Sequence, residues 1–130
     1  MDDEIRWKVT DPLGNEIVLY KDIFTEHIMG DHASKDAEVR RLIEDQVKFV
    51  LQSPYFIIRD KNFNDRWKYL GLVEVPQEEK KIKTVGIIVE VEKNPFNIVT
   101  WYARRVMDEL VIDGGMIYNA STSWKESSGL

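Results

Sequence analysis

The sequence predicts an α+β fold in which an N-terminal hairpin and two helices pack on a four-stranded antiparallel sheet. Three observations predict it. Val39, Leu42, Ile43, Val47, Val50 and Leu51 recur at helical spacing, opposite a face of Arg40, Arg41, Glu44, Asp45 and Lys48. After Pro54 the period drops from 3.6 to 2, and β-branched and aromatic residues dominate until Ala103. The connections between those later runs are short. That suits antiparallel hairpins, because a parallel crossover needs about a dozen residues or more.

The elements follow in order. Ile5, Trp7 and Val9 alternate with Arg6 and Lys8, as in a short strand. Asp11-Pro12-Leu13-Gly14-Asn15 is turn chemistry, and Ile17 to Tyr20 reads as the returning strand of a hairpin. Asp22 can cap a short helix carrying Phe24 and Ile28 on one line and Ile23 and His27 on another, with Gly30 as its stop. Ser34 or Asp36 can cap the long amphipathic helix, which Ser53-Pro54 ends. The strands predicted next are Tyr55 to Arg59, Trp67 to Val75, Ile82 to Glu92 and Ile98 to Ala103. On the third, Lys83, Val85, Ile87, Val89 and Val91 share a face. Beyond Arg105 the pattern weakens: Val106 to Val111 fits a short helix, and Asp113-Gly114-Gly115 a turn. The expected organisation is one domain over residues 1–120, with its core in 20–105, and a polar tail over 121–130.

Composition narrows the function classes. The chain has 130 residues and no cysteine, which excludes a disulfide scaffold, a thiolate metal site and a cysteine nucleophile. No apolar run approaches the roughly 18–20 residues of a membrane-spanning helix. The opening Met-Asp-Asp-Glu is acidic where a secretory signal is basic and then apolar. A cytoplasmic location without membrane contact is therefore expected. The net charge of -5 gives no overall attraction to polyanions.

Two constellations carry chemistry. The only histidines, His27 and His32, lie in one segment, Glu26-His27-Ile28-Met29-Gly30-Asp31-His32. Imidazole is the side chain that both accepts and donates protons near neutrality. Residues five apart on a helix point about 140° apart, but a helix that stops at Gly30 lets His32 turn back toward His27. The segment also admits a structural reading, with His27 in line with Ile23 at the edge of the core. It lacks the HExxH frame, and no third histidine completes a zinc site, so neither a metal nor a cofactor is predicted. The second constellation is Thr100, Tyr102 and Arg104, which project from one face of the last strong strand. A hydroxyl, a phenol and a guanidinium in line suit a phosphate, and equally suit an ordinary solvated sheet face. Arg59 and Lys68 lie at strand ends that can approach them.

The order of these pieces resembles the phage- and mobile-element-associated nuclease-like domains of the barnase–EndoU–colicin–RelE superfamily. The residues that carry the resemblance are His27 and His32, the amphipathic helix after them, Ser-Pro-Tyr-Phe-Ile-Ile at 53–58, and Ile98-Val99-Thr100-Trp101-Tyr102. The resemblance spans residues 20–105 and implies a BECR-like fold. It also implies a metal-independent ribonuclease with a toxin or phage-conflict role. His27 and His32 then match the family histidines, Thr100 the family threonine and Tyr102 the aromatic after it. Arg59, Lys68 and Arg104 would hold the RNA backbone. Asp31 departs from the basic residue usual before the second histidine, and the acidic balance departs from a nucleic-acid binder's usual footprint.

Two other classes stand beside this one. A non-catalytic phage or plasmid protein would grip a host protein, which an acidic chain suits, whereas a toxin would be met by an antitoxin or immunity partner. A degenerate nuclease fold would bind RNA and leave it whole. The sequence does not define an oligomeric state.

Overall fold

The computed structural model describes residues 4–29, 35–76, 82–105 and 115–121. Strands β1 (Ile5–Thr10) and β2 (Glu16–Tyr20) form an antiparallel hairpin. Gly14 sits in its turn with φ +89°, a conformation that costs glycine nothing. Helix α1 (Lys21–Ile23) runs directly into a π-helical turn over Phe24–Ile28. Helices α2 (Lys35–Leu42) and α3 (Glu44–Gln52) follow, then β3 (Phe56–Arg59), β4 (Arg66–Glu74), β5 (Ile82–Glu90), β6 (Phe96–Arg104) and β7 (Met116–Asn119).

The seven strands form one mixed sheet in the order β1-β2-β6-β5-β4-β3-β7. This overturns the expected four-stranded antiparallel sheet with two packed helices, and with it the BECR-like architecture that the resemblance implied. The physical reason lies at the two edges. Ile17, Val18 and Leu19 of β2 are all fully buried, so the strand needs cover on both faces and a neighbour on each side. It takes β6 as that neighbour, pairing in parallel through Ile17–Phe96 and Val18–Asn97. At the far edge, Ile57 and Ile58 bury both faces of β3, and β7 closes its outer side. Between these additions, β6, β5, β4 and β3 pair antiparallel in sequence.

The helices are shorter than expected. Ile43 leaves the helical region (φ -97°, ψ 5°) and divides the predicted amphipathic helix into α2 and α3. The backbone bonds Ile43 N–H to Val39 O and Val47 N–H to Ile43 O keep the apolar stripe in line across the break. Asp22 is not the cap of α1. That position is held by Tyr20, and Asp22 Oδ1 accepts the Ile23 N–H instead. Gly30, His32, Ser34, the 106–111 segment and residues 122–130 lie outside the described residues.

α3 is the centre of the core. It packs against β4 and β5 and also against β1, so the sheet curls around it. Val47, Val50 and Leu51 are buried beneath it with Tyr69, Ile87 and Trp101 from the sheet. Gly71 is what lets it approach: a Cβ there would stand 2.7 Å from Val50 Cγ1. Polar clamps hold both flanks. On the β1 side, Arg6 and the Trp7 indole N–H both donate to Glu44. On the β4 side, Gln46 donates to the Glu74 carbonyl and accepts its N–H. Trp101 is fully buried. It donates to the Arg40 carbonyl and contacts the rings of Trp7 and Phe24, tying β6 to α2, β1 and the π turn.

The turn after β1 is anchored by a buried carboxylate. Asp11 Oδ1 accepts the Leu13 and Asn15 backbone N–H groups, and Oδ2 accepts from Asn15 Nδ2. The Tyr69 hydroxyl, from β4, donates to the same Oδ2 at 2.5 Å. Burial, then the bond to Asp11 and its charge, push the Tyr69 phenol far above its ordinary range.

Candidate functional site

The face of the sheet turned away from α3 is built by strand pleat. Residues two apart share a face, and register sets who stands beside whom. Thr100 on β6 faces Ile88 on β5, which faces Lys68 on β4. One step along, Tyr102 faces Gly86, which faces Leu70. One step further, Arg104 faces Thr84. Thr100, Tyr102, Arg104 and Lys68 therefore stand together on one surface.

Gly86 shapes that surface. A Cβ at residue 86 would lie 2.7 Å from both Cζ and the hydroxyl oxygen of Tyr102, so the phenol ring lies flat across β5 where glycine leaves room. Two cations flank the ring. The Arg104 guanidinium carbon is 4.7 Å from its centroid, and Lys68 Nζ is 5.8 Å away. Such cation–ring contacts contribute about 0.5–1 kcal/mol at exposed sites. They hold positive charge beside a polarised aromatic face, which is a surface suited to phosphate and to a stacked base.

Arg59 does not join this group. It ends β3 opposite Trp67, whose ring packs edge-on to Phe96 on the core side, 5.4 Å between centroids. Register thus points Arg59 to the other side of the sheet, where its guanidinium lies by Gly115.

His27 is exposed on the π turn and lines an open pocket of about 370 Å³. The pocket lies where the β2–β6 pairing ends and the helical segment takes the place of a strand beside β6. Tyr20, Asp22 and Ile23 line one wall, and Asn97, Ile98 and Val99 the other. Arg66 and Glu90 complete it. Arg66, Glu90 and Asn97 are register partners across β4, β5 and β6, one step from the Lys68–Ile88–Thr100 row and on the same face. A register shift between Ile88 and Val89 leaves Val99 without a direct partner on β5 and opens the sheet at this point. The pocket therefore lies one step along the sheet from Thr100. His32 lies outside the described residues.

Sequence reasoning missed Arg66, Glu90 and Asn97. No motif marks them, because they belong to three strands and meet only through register. The visible signal was weak: charged or amide residues at strand ends, where charge is usual. Two of the three carry unmet bonding capacity. Arg66 Nε and Asn97 Oδ1 are buried with no hydrogen-bond partner among the described residues. The Arg66 guanidinium instead lies over the Phe63 ring, 4.2 Å from its centroid.

Among the described residues, no group of three or more His, Asp or Glu side chains is placed to hold a metal ion. No helix among them is long and apolar enough to cross a membrane. Compared with known protein families, curated proteins and solved structures, the chain matches none of them.

Proposed function

We propose that this chain binds RNA at the His27-lined pocket and along the neighbouring Thr100–Tyr102–Arg104 row, and cleaves it without a metal. The observation that carries the reading is the register that sets the His27-lined pocket one step along the sheet from the row bearing Lys68 and Thr100, with Tyr102 and Arg104 beyond it. An imidazole thus stands at the border of a phosphate-suited surface, in a cleft open to solvent.

The reaction needs only these groups. A base removes the proton from a ribose 2′-OH, and the 2′-oxygen attacks the adjacent phosphorus. The P–O5′ bond breaks as the P–O2′ bond forms, and an acid protonates the leaving 5′-oxygen. The products are a 2′,3′-cyclic phosphate and a free 5′-OH. His27 and His32 form the acid–base pair, as the family resemblance implies. Thr100 and Tyr102 donate to the phosphate oxygens as charge builds on them, and Lys68 and Arg104 hold the backbone. The protein acts in the cytoplasm, in a toxin or phage-conflict setting, where an antitoxin or immunity partner would restrain it.

The test is cleavage of a long single-stranded RNA in excess EDTA by wild type and by His27→Ala. A general acid or base contributes about 10²–10⁴-fold, so the variant should lose at least a hundredfold in rate. No cleavage by wild type at micromolar enzyme, or equal cleavage by both, removes the proposal.

One observation favours a second reading, in which the same face grips a protein. Leu72 and Ile82 are 44% and 53% exposed on it, and the chain carries a net charge of -5, which suits a basic partner. In that case the protein would capture a host protein and leave RNA intact.

A further inference from the structure

From the contact between Arg6 and Phe24, we infer that Arg6 is a positioning residue for His27: it seats the π-helical turn that carries the imidazole to its pocket. The inference rests on the RNA reading above for what His27 does, and adds what holds it in place.

Two backbone irregularities meet at this contact. In a regular strand, Arg6 and Trp7 would point to opposite faces. The register shift between Ile5 and Trp7 in β1 breaks that alternation, and both side chains reach Glu44 on α3. The second irregularity is the turn itself. The Met29 N–H donates to the Phe24 carbonyl at 3.0 Å, five residues back, where an α-helix bonds four back. Bulges and π turns both concentrate at functional sites, where they re-aim side chains.

Arg6 joins the two. Its Nε and Nη2 donate to the two oxygens of Glu44, which fixes the plane of the guanidinium. The guanidinium carbon then lies 3.8 Å from the centroid of the Phe24 ring, the shortest cation–ring contact among the described residues. A planar fork that pairs with a carboxylate and also stacks on a ring is a task for arginine and not for lysine. Phe24 opens the turn and His27 follows three residues later, so a shift of that ring moves the imidazole. The far end of the turn is tied as well: Arg40 Nη1 donates to the Ile28 carbonyl at 3.2 Å, and Ile28 is fully buried. His27, beside it, is exposed. Little packing holds its ring, and the backbone of the turn sets where it stands. Arg6 is not among the residues lining the pocket, so it acts through the turn and not on the substrate.

Arg6→Leu and Phe24→Leu test this in the full chain, the first by removing the cation and the second the ring. Phe24→Leu keeps the Arg6–Glu44 pair and so separates the ring contact from the loss of a partner for Glu44. In amide hydrogen exchange, protection of Met29 should fall about twofold to fivefold in each variant while the amides of β5 keep theirs, the shift that one cation–ring contact supplies. The double variant should lose no more than either single one, because both remove the same contact. The His27 Cε1–H signal in NMR spectra, identified by its loss in His27→Ala, should move in both variants. With RNA in excess EDTA, kcat should fall while KM stays unchanged. Unchanged Met29 protection, a fall matched across β5, a still His27 signal, an unchanged kcat, or a raised KM at constant kcat would each overturn the inference. Absence of cleavage by wild type removes the RNA reading alone, since the Met29 and His27 signals still decide how the turn is seated.

Discussion

Tyr69→Phe is the sharpest test of how the hairpin is fastened to the rest of the fold. The wild-type hydroxyl donates to Asp11 at 2.5 Å, across 58 residues of sequence, and Tyr69 is fully buried. Asp11 is itself only 4% exposed and makes no ion pair among the described residues. Its charge is met instead by four donors: two backbone N–H groups, the Asn15 amide and the phenol. The substitution removes one of the four and adds no new polar group. A hydrogen bond to a charged group contributes about 1.5–3 kcal/mol, so a loss of about 2 kcal/mol is expected. Urea unfolding should show it as a midpoint lowered by about 1 M at an unchanged slope. The phenol also predicts alkaline behaviour. Its folded pKa is raised, so its stabilisation is complete below the unfolded tyrosine value near 10 and is lost as pH rises beyond it. Wild type should therefore lose up to about 1.4 kcal/mol per pH unit above 10 more than Tyr69→Phe does. A change below about 0.5 kcal/mol at neutral pH, with parallel alkaline limbs, would refute the anchoring role.

Three further outcomes follow from the same geometry. Gly71→Ala puts a methyl group 2.7 Å from Val50 Cγ1, and a stiff β-branched neighbour gives way poorly, so a loss of about 1–3 kcal/mol is expected in chemical denaturation. Burial pushes the Glu44 carboxyl up, but hydrogen bonds from Arg6 and Trp7 outweigh it and hold it below its usual value. Its stabilisation is then present above about pH 4.5 and lost as pH falls through the lower folded value, so Glu44→Gln should flatten the acid limb of a stability-against-pH curve. Gly86→Ala should lift the Tyr102 ring from β5 and weaken RNA binding by roughly tenfold in a filter assay, the low end of what a stacked base contributes.

Local structure was legible where one residue pattern answers to one physical cause. The alternation at Ile5, Trp7 and Val9 and the Asp-Pro-Leu-Gly-Asn turn mark the first hairpin, because pleat and turn chemistry act within a few residues. The stripe from Val39 to Leu51 marks the buried helix face, although nothing local announces that Ile43 breaks it. The extent of the sheet was not legible as read. Ile17-Val18-Leu19 is a run without alternation, the mark of a strand buried on both faces, and a free hairpin does not explain it. Met116 to Asn119 is too short and mixed to signal a strand before its place beside β3 is known. The candidate site divides in the same way. Thr100, Tyr102 and Arg104 follow from period 2 on one strand. Lys68 joins them only through the β4–β5 register, and that register turns Arg59 away. Arg66, Glu90 and Asn97 were invisible because a row across three strands has no sequence spacing of its own.

The most direct test of the account compares an RNA with the same sequence carrying 2′-O-methyl groups, each incubated with the protein and a chelator. Attack by the ribose hydroxyl predicts that only the unmodified strand is cut and that its fragments end in cyclic phosphates. Cutting of both strands, fragments with plain 3′-hydroxyl ends, or no cutting of either would contradict it.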